Sequence, residues 1–472
     1  MGPRPRFAVA ALAAAVLLSA AGATSAHAAG AEVGIADDRI MLEGVGNPDR
    51  AVAAWRAQGV DVVRIFALWS RIAPALRPAG FDGADPGSPG YGWGPLDAAV
   101  GRVRGAGMKV MLTVSGPGPL WTSRSPAKRN PRYKPDPEEF ARFARAVARR
   151  YGADVDRYIL WNEPNLPSWL QPQASCVRRR CTPVAPHLYR VLVRAAYPAV
   201  KAADPGAEVL IGAMSSRGLE LRARNSTLRP LRFLRALGCV SAGYRKLRSG
   251  GCRGFKPARA DGFAFHPHGT LFSPDRAYPN RDDVNLASLG RLETALDRLQ
   301  RAGRLRPSTR RFNLFLDEYG YQTRPPDRTA GVSLATQDRW LQRAAYRVWR
   351  DPRVRLLTQY QWRDEPLRRA GSPFAGWQSG LHFLSGRPKP ALAHFDTPMH
   401  VDGPRSRLWG QARPGAAQTV TVERRAEGAE RYRAIARVRT DDRGYWTLER
   451  RLRRGARYRF RTATATSASF RR

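Results

Sequence analysis

Short apolar runs and amphipathic stretches alternate along most of the chain. From Ile40 onward, each apolar run is followed by a stretch in which apolar residues recur at helical spacing. A strand buried on both faces has a continuous apolar run, whereas a helix that covers a sheet has only one apolar face. The alternation predicts eight β/α units, and eight such units close into a (β/α)8 TIM barrel of class α/β.

The eight predicted strands are spaced along the first 361 residues. They are Ile40–Gly44, Val60–Leu68, Lys109–Val114, Arg157–Trp161, Glu208–Met214, Gly262–His266, Phe312–Leu316 and Val354–Gln361. Helix start signals lie between them, because Asn47-Pro48 and Asp136-Pro137 each offer a capping side chain followed by a proline suited to the first helical position. We expect the barrel to span residues 38–400.

The pattern changes after Pro398. Ala434, Ala436 and Val438 alternate with arginines, which is the period of a strand with one buried face. The segment Asp441–Gly444 predicts a hairpin turn. Residues 403–472 are therefore predicted to form a small all-β sandwich, which either packs against the barrel or binds carbohydrate or cell wall.

The first 28 residues have the organisation of a signal peptide. Two arginines precede the apolar run Phe7–Ala20, and Ala26-His27-Ala28 resembles a cleavage site. The run is shorter than the ~20 residues that a membrane-spanning helix needs. We expect a secreted protein, extracellular or associated with the cell wall and without stable membrane insertion; a retained membrane anchor is the alternative.

Four cysteines are consistent with export. Cys176 and Cys181 flank a short basic stretch, and Cys239 and Cys252 flank a loop rich in Gly, Ser and Arg. Local pairing would give two loop-closing disulfides in an oxidising compartment. A zinc site is the alternative, but it needs closer cysteine pairs or additional histidines. We predict no metal site.

The net charge of +41 is extreme, with 80 Lys and Arg against 39 Asp and Glu. Nucleic-acid binding, adhesion to an anionic polymer and a compositional bias towards arginine are three explanations. The sequence has no zinc finger, aromatic RNA-binding signature or basic helix, so no specific nucleic-acid partner is expected. A secreted protein of this charge would concentrate near anionic cell-wall or matrix polymers.

Chemically useful side chains lie at the ends of the predicted strands or just after them, and strand two also carries one within it. In a barrel of this type, functional groups gather at the carboxyl ends of the strands. Each of these residues alone has a structural explanation, such as an ion pair or a core tryptophan, but together they favour a site. They are Arg64, Trp69, Asn162, Glu163, His266, His268, Glu318 and Trp362.

Two glutamates in this set could cleave a glycosidic bond. Glu163 follows the fourth strand and Glu318 follows the seventh, so barrel closure would bring them to one cleft. The reaction needs a proton for the departing oxygen and a carboxylate at the anomeric carbon. A separation of about 5–5.5 Å would indicate retention of configuration and ~6.5–9.5 Å inversion, and the sequence leaves this open.

The two glutamate motifs also carry a family resemblance. Asn162-Glu163-Pro164 together with Asp317-Glu318-Tyr319-Gly320 resembles clan A of the glycoside hydrolases, in particular families 5 and 39, over roughly residues 38–398. The resemblance implies that Glu163 is the acid/base, that Glu318 is the nucleophile and that configuration is retained.

The same resemblance implies roles for neighbouring residues. Asn162 would bond the sugar 2-hydroxyl, Arg64 would keep Glu318 ionised, and Trp362 would stack on the sugar. The sequence departs from the family-5 pattern His-x-Tyr, since His266-Pro267-His268 stands there. Tyr319 or Tyr321 could then hydrogen-bond the nucleophile, and Trp69 is a further candidate for sugar contact.

The sequence therefore predicts a monomeric, cofactor-independent hydrolase of β-linked oligo- or polysaccharides. A non-catalytic sugar- or wall-binding barrel is the alternative from another class. Transglycosylation would use the same residues, and only product analysis separates it from hydrolysis.

Overall fold

A closed barrel of eight parallel strands forms the larger part of the molecule. The computed structural model describes Gly2 and residues 30–178, 180–368 and 376–472. Each barrel strand pairs with its neighbour in sequence, and β8 closes on β1. The strands are β1 Glu32–Ala36, β2 Val62–Leu68, β3 Lys109–Ser115, β4 Arg157–Leu160, β5 Glu208–Ser215, β6 Gly262–His266, β7 Leu314–Tyr319 and β8 Val354–Tyr360. The predicted fold class is confirmed.

The predicted position of the first strand is wrong. It was expected at Ile40–Gly44, but β1 lies at Glu32–Ala36 and the residues Asp38–Met41 form a short helix. The side chain of Asp37 caps this helix by accepting a hydrogen bond from the backbone N–H of Ile40 at 3.3 Å. Two apolar runs stand close together here, and the capping aspartate ends the first run as a strand and begins the second as a helix. The predicted signal peptide, residues 1–28, lies outside the described residues apart from Gly2.

Helices cover the outside of the barrel. The predicted caps are present, since the Asn47 side chain accepts from the Arg50 N–H at 2.9 Å and that of Asp136 from the Glu138 N–H at 2.8 Å. The helices are α1 Pro48–Ala57, α2 Gly94–Gly105, α3 Pro137–Tyr151, α4 Ala185–Ala203, α5 Pro230–Leu237, α6 Leu289–Arg301 and α7 Leu334–Trp349, with a further short helix at Trp69–Ile72. After β8, the described chain forms the 3-10 helix Pro390–His394. Other 3-10 helices are Leu120–Thr122, Pro126–Lys128, Gly250–Cys252 and Leu286–Ser288.

Three pairs of short strands lie in the segments that connect the barrel strands and helices. They are Ala174–Val177 with Arg180–Pro183, Ala258–Ala260 with Leu305–Pro307, and Thr323–Arg324 with Val332–Ser333. The first pair contains the disulfide Cys176–Cys181, and a second disulfide joins Cys239 to Cys252, with S–S distances of 2.03 and 2.08 Å. Both predicted disulfides are confirmed.

Apolar side chains fill the amino-terminal half of the barrel. The interior cluster includes Val62, Met111, Ile159, Leu210 and Phe315, each of which lies within the first three residues of its strand. A larger apolar core lies between the strands and the helices. Because these interior side chains gather towards the amino-terminal ends of the strands, the carboxyl ends are free to carry polar groups.

The carboxyl-terminal region is a sandwich of two antiparallel sheets. One sheet contains β9 Met399–Asp402, β10 Arg407–Gln411 and β13 Tyr445–Glu449, and the other contains β11 Thr419–Arg425, β12 Arg433–Arg439, β14 Arg457–Arg461 and β15 Phe470–Arg471. Buried residues of both sheets, among them Leu408, Trp446, Val422 and Phe460, form its core. Its first strand begins at Met399, slightly before the predicted start at 403.

The predicted hairpin at Asp441–Gly444 is wrong. A turn is present there, with the Asp441 carboxylate accepting from the Arg443 and Tyr445 N–H groups, but β12 and β13 belong to different sheets. The chain crosses because Tyr445 packs with Trp409 against Tyr346 and Trp349 of α7. This aromatic contact joins the sandwich to the barrel.

Within the part of the chain that the structure describes, no helix is both long enough and apolar enough to span a bilayer.

Candidate active site

A constrained turn after β4 positions Glu163. Its backbone φ is 37°, a left-handed conformation that non-glycine residues rarely adopt. The backbone N–H of Glu163 donates to the Ala213 carbonyl at 2.9 Å. The Asn165 side chain donates to the Leu228 carbonyl at 3.0 Å and accepts from the Ser215 N–H at 3.0 Å. These bonds compensate for the strained backbone, which is typical of a functional site.

Glu163 and Glu318 meet at one imidazole ring. Nδ1 of His266 lies 3.2 Å from Oε1 of Glu163 and 3.5 Å from Oε2 of Glu318. Because both oxygens are this close to one nitrogen atom, they are less than about 7 Å apart, a bound that includes the retaining separation of about 5–5.5 Å and the lower end of the inverting range of ~6.5–9.5 Å. The glutamates that the sequence placed on strands four and seven therefore face the same cleft.

Arg64 lies beneath Glu318 and is fully buried. Its Nη1 is 3.1 Å from Oε1 of Glu318, and its Nη2 donates to Oδ1 of Asn162 at 2.8 Å. Since a guanidinium only donates hydrogen bonds, it fixes the Asn162 amide with its oxygen towards Arg64. Asn162 is also held by its backbone N–H, which donates to the Ser115 hydroxyl at 3.0 Å.

The charges around Glu318 decide its protonation. Burial alone would raise the pKa of Glu318, but the positive charges of His266 and Arg64 outweigh burial and lower this pKa to about 2. Burial would likewise lower the pKa of His266, but the carboxylates of Glu318 and Asp317 raise this pKa well above its usual value. At neutral pH, Glu318 is thus a carboxylate and His266 an imidazolium.

Asp317 fixes the His266 ring from the opposite side. Its Oδ2 lies 3.0 Å from Nε2 of His266, and both side chains are fully buried. A doubly protonated imidazole donates through both nitrogens, so Nε2–H points to Asp317 and Nδ1–H points to the two glutamates. Asp317 thereby sets the direction in which His266 donates to Glu163 and Glu318.

His268 lies on the other side of Glu318 together with two aromatic rings. Its Nε2 is 3.7 Å from Oε2 of Glu318, which is too long for a hydrogen bond. Neither ring nitrogen of His268 has a hydrogen-bond partner among the described residues, although the residue is only 7% exposed. Its ring packs on Trp377 at 5.0 Å and lies 6.3 Å from that of Tyr360. Buried nitrogens without partners at the edge of a cleft are suited to bond a ligand.

Three residues predicted for substrate contact, Tyr321, Trp69 and Trp362, do not contact the two glutamates. Tyr321 is buried, and its hydroxyl accepts a hydrogen bond from the Tyr319 hydroxyl and donates to the Phe272 carbonyl instead of bonding Glu318. Trp69 is buried against Phe140 and Phe143 of α3.

Trp362 also points away from the two glutamates. Its ring packs edge-on against Trp55 of α1, 6.2 Å away, and against His382 at 4.7 Å. Tyr360, the last residue of β8, lies on the side of the cleft that holds Glu318, since its ring is 6.3 Å from that of His268. Burial, and after it the charge of Glu318, raises the pKa of Tyr360 well above its usual value.

Two aspartates at the end of β1 belong to the site and were missed because β1 was misplaced. Oδ2 of Asp38 lies 3.9 Å from Nη1 of Arg64, and Oδ1 accepts from the Phe66 N–H at 2.7 Å. Oδ2 of Asp37 accepts from the N–H groups of Trp362 and Arg363 at 3.2 and 3.0 Å, which ties β1 to the chain after β8. The sequence signal that could have located them is the mainly apolar run Glu32–Ala36, which the two acidic residues follow directly.

A cavity of about 220 Å³ lies beside this cluster. Asp38 lines it together with Phe66 and Trp169, whose rings stack 5.4 Å apart. The guanidinium of Arg64 lies 4.1 Å above the Phe66 ring. Apolar ring faces next to a carboxylate can contact both the faces and the hydroxyls of a sugar.

Two groups of side chains have the spacing of metal ligands. Ligand atoms of His266, His268 and Glu318 lie within 4.8 Å of one another, as do those of His187, Cys239 and Cys252. In the first group, His266 already donates through both nitrogens, so a metal would have to displace a proton. In the second, the cysteines are joined in a disulfide and offer no thiolate.

Comparison with known structures confirms the expected fold. No family model and no curated protein matches the sequence. A family 39 glycoside hydrolase from Bacteroides cellulosilyticus WH2 matches 88% of this chain and 78% of its own length, with 16% identity and a TM-score of 0.50. A GH5_18 protein from Streptomyces cattleya matches 77% of this chain and 78% of its own, with 17% identity and a TM-score of 0.49. At 16% identity, the likeness to the family 39 enzyme shows a shared fold.

Proposed function

We propose that the chain is a secreted retaining glycoside hydrolase that cleaves β-linked sugars or polysaccharides. The observation that carries the proposal is the convergence of Glu163 and ionised Glu318 on His266 at the mouth of the barrel. A binding protein does not need two carboxylates in different environments within reach of one sugar carbon.

In the first step, a carboxylate oxygen of Glu318 attacks the anomeric carbon. The bond from that carbon to the departing oxygen breaks, and the departing oxygen takes the proton of Glu163. The carboxylate left on Glu163 lies 3.2 Å from Nδ1 of His266 and is stabilised by its N–H. The sugar is now an ester of Glu318.

In the second step, Glu163 takes a proton from water as the water oxygen attacks the anomeric carbon. The ester bond breaks and Glu318 leaves as a carboxylate, which Arg64 and His266 stabilise. Two displacements at one carbon retain its configuration. A sugar hydroxyl in place of water would give transglycosylation from the same intermediate.

The surrounding polar groups would hold the reacting sugar. Asn162, with its oxygen turned to Arg64, would donate its amide N–H to the 2-hydroxyl. His268 would bond a further hydroxyl through its unpartnered ring nitrogens. Trp377, which packs on His268, and Trp169 in the adjacent cavity would contact sugar faces. Trp69, Trp362 and Tyr321 have no direct role in this proposal.

Trapping the intermediate tests the proposal. A 2-fluoro glycoside with a good leaving group is expected to inactivate the enzyme and to add one sugar to the peptide that contains Glu318, as measured by mass spectrometry. Glu163→Gln is expected to lower kcat on aryl β-glycosides by ~10²–10⁴-fold, the usual contribution of a general acid. Glu449→Gln, an exposed change in the sandwich, is the matched control.

Two results would contradict the hydrolase proposal. A label on a different residue would remove Glu318 from the nucleophile role. Binding of oligosaccharides without turnover of any aryl glycoside would favour a non-catalytic sugar-binding barrel.

A further inference from the structure

A concave surface on the sandwich is lined almost entirely by arginines. It lies between the end of β13, the strand β11 and the last residue of the chain, and its volume is about 810 Å³. The lining residues are Arg424, Arg450, Arg451, Arg453, Arg454, Arg472, Ser406 and Leu452. We call it the arginine pocket. No acidic side chain is among these lining residues.

The loop that carries most of these arginines is held in place by its backbone. The N–H of Arg450 donates to the Ser406 carbonyl at 2.9 Å, and the N–H of Arg453 donates to the Tyr458 hydroxyl at 2.9 Å. Leu452 is buried between Arg451 and Arg453, which are exposed. The fold thus fixes the loop with its charged side chains outward.

Within the described chain, no ion pair neutralises the charges of the pocket. Elsewhere in the sandwich, Arg459 and Arg461 both pair with Glu423, at 2.7 and 2.8 Å. Among the described residues, no ion pair joins Arg451, Arg453 or Arg454 to a carboxylate. Like charges gathered on a concave surface repel one another, and an anionic ligand would relieve this repulsion.

The chemistry of arginine selects the class of ligand. Guanidinium groups bind carboxylate, sulfate and phosphate oxygens through paired hydrogen bonds. Six of them around a pocket of this size suit an extended polyanion better than a single small anion. Nucleic acid fits less well, since the lining has no aromatic ring on which a base could stack.

We propose that the arginine pocket binds a polysaccharide carrying carboxylate, sulfate or phosphate groups and so holds the enzyme on an anionic glycan. The choice of a glycan over other polyanions rests on the proposed hydrolase function. The pocket itself is separate from the cleft that contains Glu163 and Glu318.

Binding of defined polymers to the full chain tests this proposal. The probes are polygalacturonate and dextran sulfate, with unmodified dextran as the neutral partner, measured by calorimetry at fixed salt. The triple variant Arg451→Gln, Arg453→Gln, Arg454→Gln is expected to bind the anionic polymers about tenfold more weakly or worse, because three charge-assisted contacts are lost. The matched control removes the same charge from exposed arginines outside the pocket: Arg431→Gln, Arg437→Gln, Arg439→Gln.

The control triple is expected to lose less than about threefold in affinity, as diffuse charge alone would give. Both triples should retain the kcat/KM of the unmodified enzyme on a small aryl glycoside, so a failed hydrolase proposal and a failed pocket proposal give different results. Equal loss in the two triples, or equal binding of dextran and dextran sulfate, would overturn the proposal. Tighter binding of a single-stranded oligonucleotide than of either glycan would replace the glycan by nucleic acid.

A second pair of variants covers the case in which the pocket triple unfolds. Arg→Lys changes at the same three positions keep the charge but lose the paired hydrogen bonds. Weaker binding of this triple than of Arg→Lys at 431, 437 and 439 supports the pocket, and equal binding of the two triples contradicts it.

Discussion

Arg64 in the barrel and the exposed arginines of β12 in the sandwich show two uses of the same side chain. Arg64 is fully buried, and the carboxylates of Glu318, Asp317 and Asp38 lie within 3.9 Å of it. Arg437 and Arg439 of β12 are exposed, and no ion pair involves them among the described residues. Arg64 interacts with a few carboxylates at short range, whereas the exposed arginines contribute to the positive electrostatic potential around the molecule.

Solvation explains the difference. Water screens an exposed guanidinium, so each one contributes little individually and many together attract anions. A buried guanidinium is hardly screened, and it therefore controls the protonation of its neighbours. The net charge of +41 consequently says little about the candidate site, where the dominant groups are acidic.

The largest effect is expected from removing the buried charge. Arg64→Met would leave Glu318 and Asp317 without their buried guanidinium, and breaking a buried pair in this way costs about 3–5 kcal/mol of unfolding free energy. Turnover of aryl glycosides should fall as well. Arg437→Met is the control and should change stability by less than about 0.5 kcal/mol. Denaturant unfolding of both variants measures this, and equal effects would contradict the comparison.

Acid pH should weaken the buried site in a way that an exposed carboxylate does not. The pKa of Glu318 is lowered in the folded protein from 4.5 to about 2, so its ionisation stabilises the fold above its unfolded pKa and this contribution is lost as the pH falls towards 2. The stability difference between the unmodified protein and Glu318→Gln should therefore narrow by about 2 kcal/mol between pH 5 and pH 3.

The control for this pH dependence is Glu449→Gln in the sandwich. The Glu449 side chain is 64% exposed and water screens its ion pair with Arg407, so its replacement should change stability by less than about 1 kcal/mol. Parallel curves for Glu318→Gln and Glu449→Gln would show that Glu318 has no lowered pKa.

Asp317→Asn is expected to have the next largest effect. Without the Asp317 charge, the pKa of His266 falls, so His266 loses its second proton, and with it its positive charge, at a lower pH. Misalignment of His266 should reduce kcat/KM roughly 10- to 100-fold. In addition, the alkaline limb of the pH profile should move to lower pH.

The pH profile separates positioning by Asp317 from a general loss of stability. Asp261→Asn is the matched control, because Asp261 is hydrogen-bonded to Tyr197 at 2.8 Å in front of β6, at the opposite end of the strand from His266. This variant should be less stable but keep the alkaline limb in place. An unmoved limb in Asp317→Asn would exclude the proposed role.

Much of this architecture was predictable because buried strands leave a strong sequence pattern. Seven of the eight strands overlap their predicted positions, and the carboxyl-end rule led to Glu163, Glu318 and His266, whereas Arg64 lies within β2 and its role was implied by the family resemblance. The first strand was missed because the weak run Glu32–Ala36 lies close to a stronger apolar run that forms a helix. Local pattern cannot decide between two neighbouring runs when barrel closure selects one of them.

The tryptophans illustrate a second limit. Trp69 is the first residue of the helix that follows β2, and Trp362 lies two positions beyond the end of β8. Strand alternation no longer applies beyond a strand end, so it could not assign a face to either residue. Which of two adjacent aromatic residues reaches the cleft then depends on loop packing.

The smallest effect is expected from the exposed arginines. The control triple Arg431→Gln, Arg437→Gln, Arg439→Gln removes three positive charges from a strongly cationic surface, so self-repulsion decreases slightly and stability at low salt should rise by no more than about 0.5 kcal/mol. Added salt should abolish the gain, because screening weakens the same repulsion in the unmodified protein. Thermal unfolding at low and high salt measures this. A loss of stability well above 1 kcal/mol would mean that these side chains form structural contacts. The arginines of β12 would then resemble Arg64 and would not act only through the overall charge.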